Sequence, residues 1–286
     1  MVATSGVNRS PEQQPVRSGN TRALDLGLAS NRFVLLATPL AGGVAGLITL
    51  TIGDGLDEAV RNGISAGGAV FICWALAREL DPDNPWVAVV AAIVAPLGLL
   101  ITPSDLLAGG LLIVVARVAA FTTGRAPYWI DVLVIAALSI PLVFRHVGPG
   151  ALLISAMALG VVSTLQDRRR VAILTGAAVT GALGVWAMVR SDWAVEVTHP
   201  ILVTGIALGL VALLGPSRVL SPTDRAGGRI PPHRVRLARA IVLFAAVASS
   251  LTASPAAMAP VWSAVSAVGV GQILPQVSRE PSPADG

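Results

Sequence analysis

Two short stretches of this chain gather enough carboxylates to do chemistry. Asp54, Asp57, Glu58 and Arg61 stand at i, i+3, i+4 and i+7, so a helix would carry all four on one face. Together they would make an acidic vestibule for a cation or a cationic substrate. A structural reading is as physical and is the stronger one: Asp54 caps the helix, acids in its first turn complement the helix dipole, and Asp57 pairs with Arg61. The second stretch, Ala77-Arg78-Glu79-Leu80-Asp81-Pro82-Asp83-Asn84-Pro85-Trp86, holds a D-x-D pair. Asp81 and Asp83 could hold Mg2+ against a phosphate, because hard cations take carboxylate oxygens together with substrate phosphates. Arg78 and Arg125 would then neutralise that phosphate, with Asp131 and Asp167 as the nearest further carboxylates. Turn chemistry explains the stretch more simply: Asp83 or Asn84 caps a helix that has Pro85 in its first position and Trp86 as an interfacial anchor.

Three more charges lie close to apolar segments. Arg117 and Asp131 flank Gly124 almost symmetrically, so an antiparallel hairpin would bring them to one depth, where they could pair or line a binding site. Asp105 follows Ser104 at the start of an apolar run, and either can cap it. Prolines inside apolar runs, at Pro39, Pro96 and Pro141, each precede a leucine; a proline there frees a carbonyl that can kink the helix or meet a ligand. Substrate-binding candidates are therefore Asp54, Asp57, Arg61, Pro39, Pro96, Arg117 and Asp131. His146 and His233 are isolated and suggest no metal site, while His199 with nearby carboxylates suggests a metal or proton site that its place before Pro200 disfavours. Asp192 and Glu196 near His199 read as loop polarity.

The elements that must position these residues are membrane helices. Of 286 residues, 54% are hydrophobic and 13% charged, about half the charge of an ordinary soluble domain, which excludes a conventional water-soluble enzyme. A helix needs roughly 20 apolar residues, and no fewer than about 17, to cross about 30 Å of hydrocarbon. That test places spans near 33–52, 60–77, 86–102, 104–122, 129–145, 149–166, 171–190 and 200–217. The stretch from Ala240 to Leu274 is too long for one crossing and turns near Ser254–Pro255. The expected fold is an all-α polytopic bundle of about ten spans in five antiparallel hairpins; the alternative is eight spans with a broken or re-entrant ninth. Residues 1–32 and 276–286 read as disordered tails around a single transmembrane domain, 33–275.

All 20 basic residues are arginine, and their distribution sets orientation. With the N-terminus cytoplasmic, only Arg61, Arg145 and Arg190 fall on the outer side in the ten-span arrangement. The inner loop from Pro216 to Arg239 could attract anionic lipid headgroups. High pI here reflects these loops, so no nucleic-acid partner is expected. The arginine-only, alanine- and glycine-rich composition fits a GC-rich prokaryotic genome and a plasma (inner) membrane. Gly42 and Gly46, Gly63 and Gly67, and Gly205 and Gly209 each stand four apart, which lets helix backbones approach within the bundle. The lone Cys73 leaves no intrachain disulfide.

The segment from Cys73-Trp74-Ala75-Leu76 through Ala77-Arg78-Glu79-Leu80-Asp81-Pro82-Asp83 resembles one found in uncharacterised prokaryotic polytopic membrane proteins. The resemblance spans about a dozen residues and implies no activity. Walker-type, G-x-S-x-G and H-E-x-x-H motifs are missing from the sequence. The expected function is therefore non-enzymatic: a subunit of a membrane complex with a protein partner, or a carrier for a lipid or weakly polar solute, with no cofactor. The alternative is an enzyme acting on a polyprenyl-phosphate-type lipid at the cytoplasmic face, using Mg2+ at Asp81 and Asp83.

Overall fold

The protein is seen here as a computed structural model that describes residues 26–96, 104–165, 169–191, 199–215, 219–223 and 228–274. Asp167, Asp192, Glu196, most of the N-terminal tail and the C-terminal tail lie outside them. The described residues form ten α-helices: α1 (Ala29–Thr51), α2 (Leu56–Leu80), α3 (Pro85–Val94), α4 (Leu106–Ala120), α5 (Trp129–Leu142), α6 (Gly148–Leu165), α7 (Arg170–Arg190), α8 (Pro200–Leu214), α9 (Pro232–Ser249) and α10 (Ala259–Ile273). A 3-10 turn, Pro255–Met258, leads from α9 into α10, so the long apolar stretch after residue 240 does break near Ser254–Pro255.

Among the described residues, five segments are long and apolar enough to cross a membrane: α1, α2, α6, α7 and Pro255–Ile273. These give the chain its multi-pass membrane character. The spans expected at 86–102, 104–122, 129–145 and 200–217 contain shorter helices, of 10, 15, 14 and 15 residues. Fifteen residues reach only about 22 Å. Residues 97–102 of the first of these spans lie outside the described residues; for α4 and α8, local chemistry explains the shortening. Asp105 accepts hydrogen bonds from the Leu107 and Ala108 N–H groups and so starts α4 late, while Phe121 ends it in the left-handed region at φ 60°. α8 begins at Pro200 and stops at Gly215. Pro39 sits inside α1 as expected, whereas α3 ends at Val94 and leaves Pro96 beyond its last turn.

Helix α1 packs against α2 backbone to backbone. A Cβ at Gly42 would stand 2.9 Å from the Gly63 carbonyl oxygen, one at Gly46 3.1 Å from that of Ala59, and one at Gly67 2.8 Å from that of Thr38. Ascending numbers on α1 meet descending numbers on α2, so the pair is an antiparallel hairpin. Side chains at Gly205 and Gly209 would strike Trp262, Leu243 and Val265, which closes α8 against α9 and α10. The small-residue faces therefore serve packing within the chain. Helices α2, α4, α9 and α10 make up the centre, with α6 behind them, while α1 and α5 lie at the periphery.

Candidate functional site

The two ends of the bundle differ in chemistry. At one end α2, α4, α6 and α8 finish, α9 begins and α10 finishes. The D-x-D stretch lies in the middle of it. Glu79, almost wholly buried on the last turn of α2, receives a hydrogen bond from Arg117 Nε of α4 at 2.7 Å. The left-handed turn at Phe121 then swings the next residue, Thr122, so that its hydroxyl donates to the other Glu79 oxygen at 2.5 Å. Asp83 accepts from the Leu220 and Ser221 N–H groups, at 2.9 and 2.8 Å, and from the Ser221 hydroxyl at 2.6 Å. Asp81 accepts from Asn84 Nδ2 at 2.9 Å and from Gln272 Nε2 of α10 at 3.3 Å. Burial pushes the Asp81 carboxyl above its usual range, opposed by the Asn84 hydrogen bond and the Arg239 charge.

Two arginines of α9 complete this end. Arg239 donates from Nε to the Leu80 carbonyl at 2.8 Å and from Nη1 to the Ala212 carbonyl at 2.9 Å. Arg234 donates from Nη2 to the Leu165 carbonyl at 3.2 Å, and its Nη1 lies 3.5 Å from the Ala119 carbonyl. Each guanidinium therefore joins the C-terminal turns of two helices, α2 with α8 and α4 with α6. Carbonyls there lack partners within their own helix and sit at the negative pole of its dipole. These arginines are buried rather than snorkelling, whereas Arg236 between them is exposed.

Several sequence expectations change at this level. Asp83 reaches to Leu220 and Ser221 instead of capping α3; Asn84 takes the N-cap position, but its side chain donates to Asp81. Elsewhere at this end, Arg117 counts Glu79 among its partners, and Asp131 accepts, among its contacts, from the Tyr128 N–H at 2.6 Å at the start of α5. Among the described residues no group of three or more His, Cys, Asp or Glu side chains gathers into a potential metal site.

At the opposite end, Gly53 turns the chain at φ 96° and α2 starts only after Gly55. Asp54 thus stays outside the helix and does not cap it, and Arg61 pairs with Glu58 rather than Asp57. Arg61 also faces a cavity of about 560 Å3 bounded by α2, the start of α4, the α5–α6 turn and the α9–α10 turn. Arg145 and His146 line it, as do the hydroxyl-bearing Ser65 and Ser104. Neither serine hydroxyl has a hydrogen-bond partner among the described residues, and Ser65 is buried. Arg145 Nε comes no closer than 4.0 Å to the Asp105 carboxylate, whose other oxygen holds the α4 N-terminus.

Ser65 also lines a second cavity on the other flank of α2. This groove, about 590 Å3, runs between α1, α2 and α3 from Phe33 to Ile48 and Thr49, with Pro96 at its edge. Its walls are mostly alanine, valine, leucine and isoleucine, and its polar side chains are Ser65, Thr49 and Asn62, of which Asn62 donates to Thr49 Oγ1 at 3.2 Å. Pro39 is not among the lining residues, although its neighbour Leu40 is.

Of the candidates read from sequence, the structure brings Arg61 and Pro96 to cavities that share Ser65. Arg117, Asp131, Asp81 and Asp83 sit at the other end, and Asp54 and Asp57 lie exposed. Sequence reading missed Glu79, Arg234 and Arg239 as buried partners, because charge beside an apolar run reads equally as a loop. It also missed the meeting of Arg61 with Arg145, which no local spacing encodes. No family model matches the chain, and neither a curated protein nor a solved structure matches it.

Proposed function

We propose that this multi-pass membrane protein holds a lipid or weakly polar solute in the groove between α1, α2 and α3, as a carrier or as the lipid-holding subunit of a membrane complex. The observation that carries this reading is the groove itself: about 590 Å3 and mainly apolar, with Ser65 and the Asn62–Thr49 pair as its polar lining. Such a lining suits an acyl or prenyl chain, which gains by contact with apolar walls and asks for few hydrogen bonds. The proposed setting is a plasma membrane, with the Glu79 end and the N-terminus cytoplasmic, as the arginine distribution indicates. Chemistry on a polyprenyl phosphate with Mg2+ at Asp81 and Asp83 has less support, since both carboxylates already hold other parts of the chain.

Native mass spectrometry of the protein gently extracted from its own membrane tests the proposal. The expected spectrum shows a retained lipid-sized mass at one per chain, which Ala41→Phe and Ala45→Phe, filling the groove, remove without unfolding the protein. Retention unchanged by both substitutions would sink the reading, and a stoichiometric protein bound in place of lipid would leave only the complex-subunit half of it.

A further inference from the structure

We infer that the cavity at the Asp105 end is a headgroup site, and that it binds the single anionic group, phosphate or carboxylate, of an amphiphile whose apolar part lies in the α1–α2–α3 groove. This rests on the groove reading above and adds the chemical class of its occupant. Three observations converge on it.

The first is donor capacity without matching acceptors. A guanidinium offers five N–H groups in a fixed fork. Arg145 is largely exposed and has one carboxylate contact, at 4.0 Å; Arg61 is largely exposed and has one, with Glu58. The carboxylate that could neutralise Arg145 is already engaged, for Asp105 Oδ1 accepts from two N–H groups of α4 at 3.1 and 3.0 Å. The second is the pair of hydroxyls, Ser65 Oγ and Ser104 Oγ, that are buried as atoms and have no partner among the described residues. A buried hydroxyl left unpaired is costly, and an oxyanion in this cavity would supply the missing acceptor. Arginine forks together with hydroxyl donors form the usual recognition set for phosphate and carboxylate oxygens.

The third observation links head to tail. Ser65 belongs to the lining of both cavities, on α2, one turn from Arg61 and close to Asn62. A ligand with its charged group beside Arg61 and Arg145 therefore has apolar space within reach around the same helix. A free anion would have no use for that groove, and a neutral lipid would have none for the arginines.

Titration calorimetry on the full chain, delipidated and held in amphipol, separates these cases with three probes: dodecyl phosphate, dodecanol and inorganic phosphate. Dodecyl phosphate is expected to bind at one per chain, at least about tenfold more tightly than dodecanol, the scale of one charge-assisted contact. Arg61→Gln with Arg145→Gln should bring it down to the dodecanol affinity and leave dodecanol unchanged, whereas Ala45→Phe should weaken both. Equal binding of the two dodecyl probes, both weakened by Ala45→Phe, would overturn the headgroup site and leave the groove standing. Dodecyl binding that ignores Ala45→Phe would remove the groove and this inference with it. Inorganic phosphate binding as tightly as dodecyl phosphate would make the cavity a free-anion site and sever it from the groove.

Discussion

Replacing Arg239 by alanine should be among the most damaging single changes in this protein. Its guanidinium donates to Leu80 and Ala212 at 2.8 and 2.9 Å, and the residue is 6% exposed. A hydrogen bond from a charged donor contributes about 1.5–3 kcal/mol, so the two together amount to about 3–6 kcal/mol. Relief of the buried charge and entry of water into the vacated space offset part of this, which leaves an expected loss of about 3–5 kcal/mol. Lysine carries one compact ammonium in place of the planar fork, so Arg239→Lys should recover about half. Arg236→Ala is the control: it removes the same charge from the same helix but from an exposed position, and should stay within about 0.5 kcal/mol of wild type. Reversible unfolding in mixed micelles with added dodecyl sulfate, followed by circular dichroism, measures all three. If Arg239 mattered only as a topology-setting positive charge, the two alanine variants would behave alike. Equal stability of Arg239→Ala and Arg236→Ala would therefore refute the argument that this arginine holds two helix ends.

Adjacent glycines should respond with opposite sign. Gly43→Ala meets nothing within 4 Å and should stabilise α1 by up to about 1 kcal/mol through helix propensity, whereas Gly42→Ala would push a Cβ against the Gly63 carbonyl and should cost about 1–3 kcal/mol in the same micelle assay. Asp83→Ala removes the acceptor for the Leu220 and Ser221 amides, whose hydrogen exchange should accelerate by about 10- to 100-fold while the α1–α2 amides keep their rates. Asp81 gives a pH signature. Because burial raises its folded pKa, its favourable contribution is present at low pH and is lost as pH rises from about 3.9 through the raised value. The stability of Asp81→Asn relative to wild type should therefore climb from acid toward neutral pH, and a flat difference would count against a raised carboxyl.

Helix placement was largely legible because apolar runs, prolines and small-residue spacing are local signals. Gly42 and Gly63, four residues from Gly46 and Gly67, announced a close backbone crossing, and the glycines meet across α1 and α2. Asp105 was readable as a cap for the same reason, since its partners are the N–H groups two and three residues on. Helix length was less legible: the expected spans run on to 122 and 217, but Phe121, left-handed, and Gly215 end the helices first. Asp54 shows the same limit, because spacing put it on a helix face while the turn at Gly53 keeps it off the helix. Least legible were contacts between distant segments. Glu79 finds Arg117 across 38 residues and Arg239 finds Leu80 across 159, and periodicity carries no such pairing.

The contrast between the two ends decides where a ligand belongs. Buried charge is costly unless it is paired, and at the Glu79 end the buried charged groups Glu79, Asp81, Arg234 and Arg239 have partners in the chain itself. A ligand entering there would have to displace bonds that join helices, so binding would compete with folding. At the Asp105 end, Arg61 and Arg145 stand largely exposed over two unpartnered hydroxyls, and a ligand there gains contacts without breaking the bundle. Helix α1 meets the rest of the fold chiefly through α2, with a lesser contact to α3, and these three helices wall the groove. One end anchored by Arg234 and Arg239 and the other left chemically open is the arrangement that the proposed amphiphile binding requires.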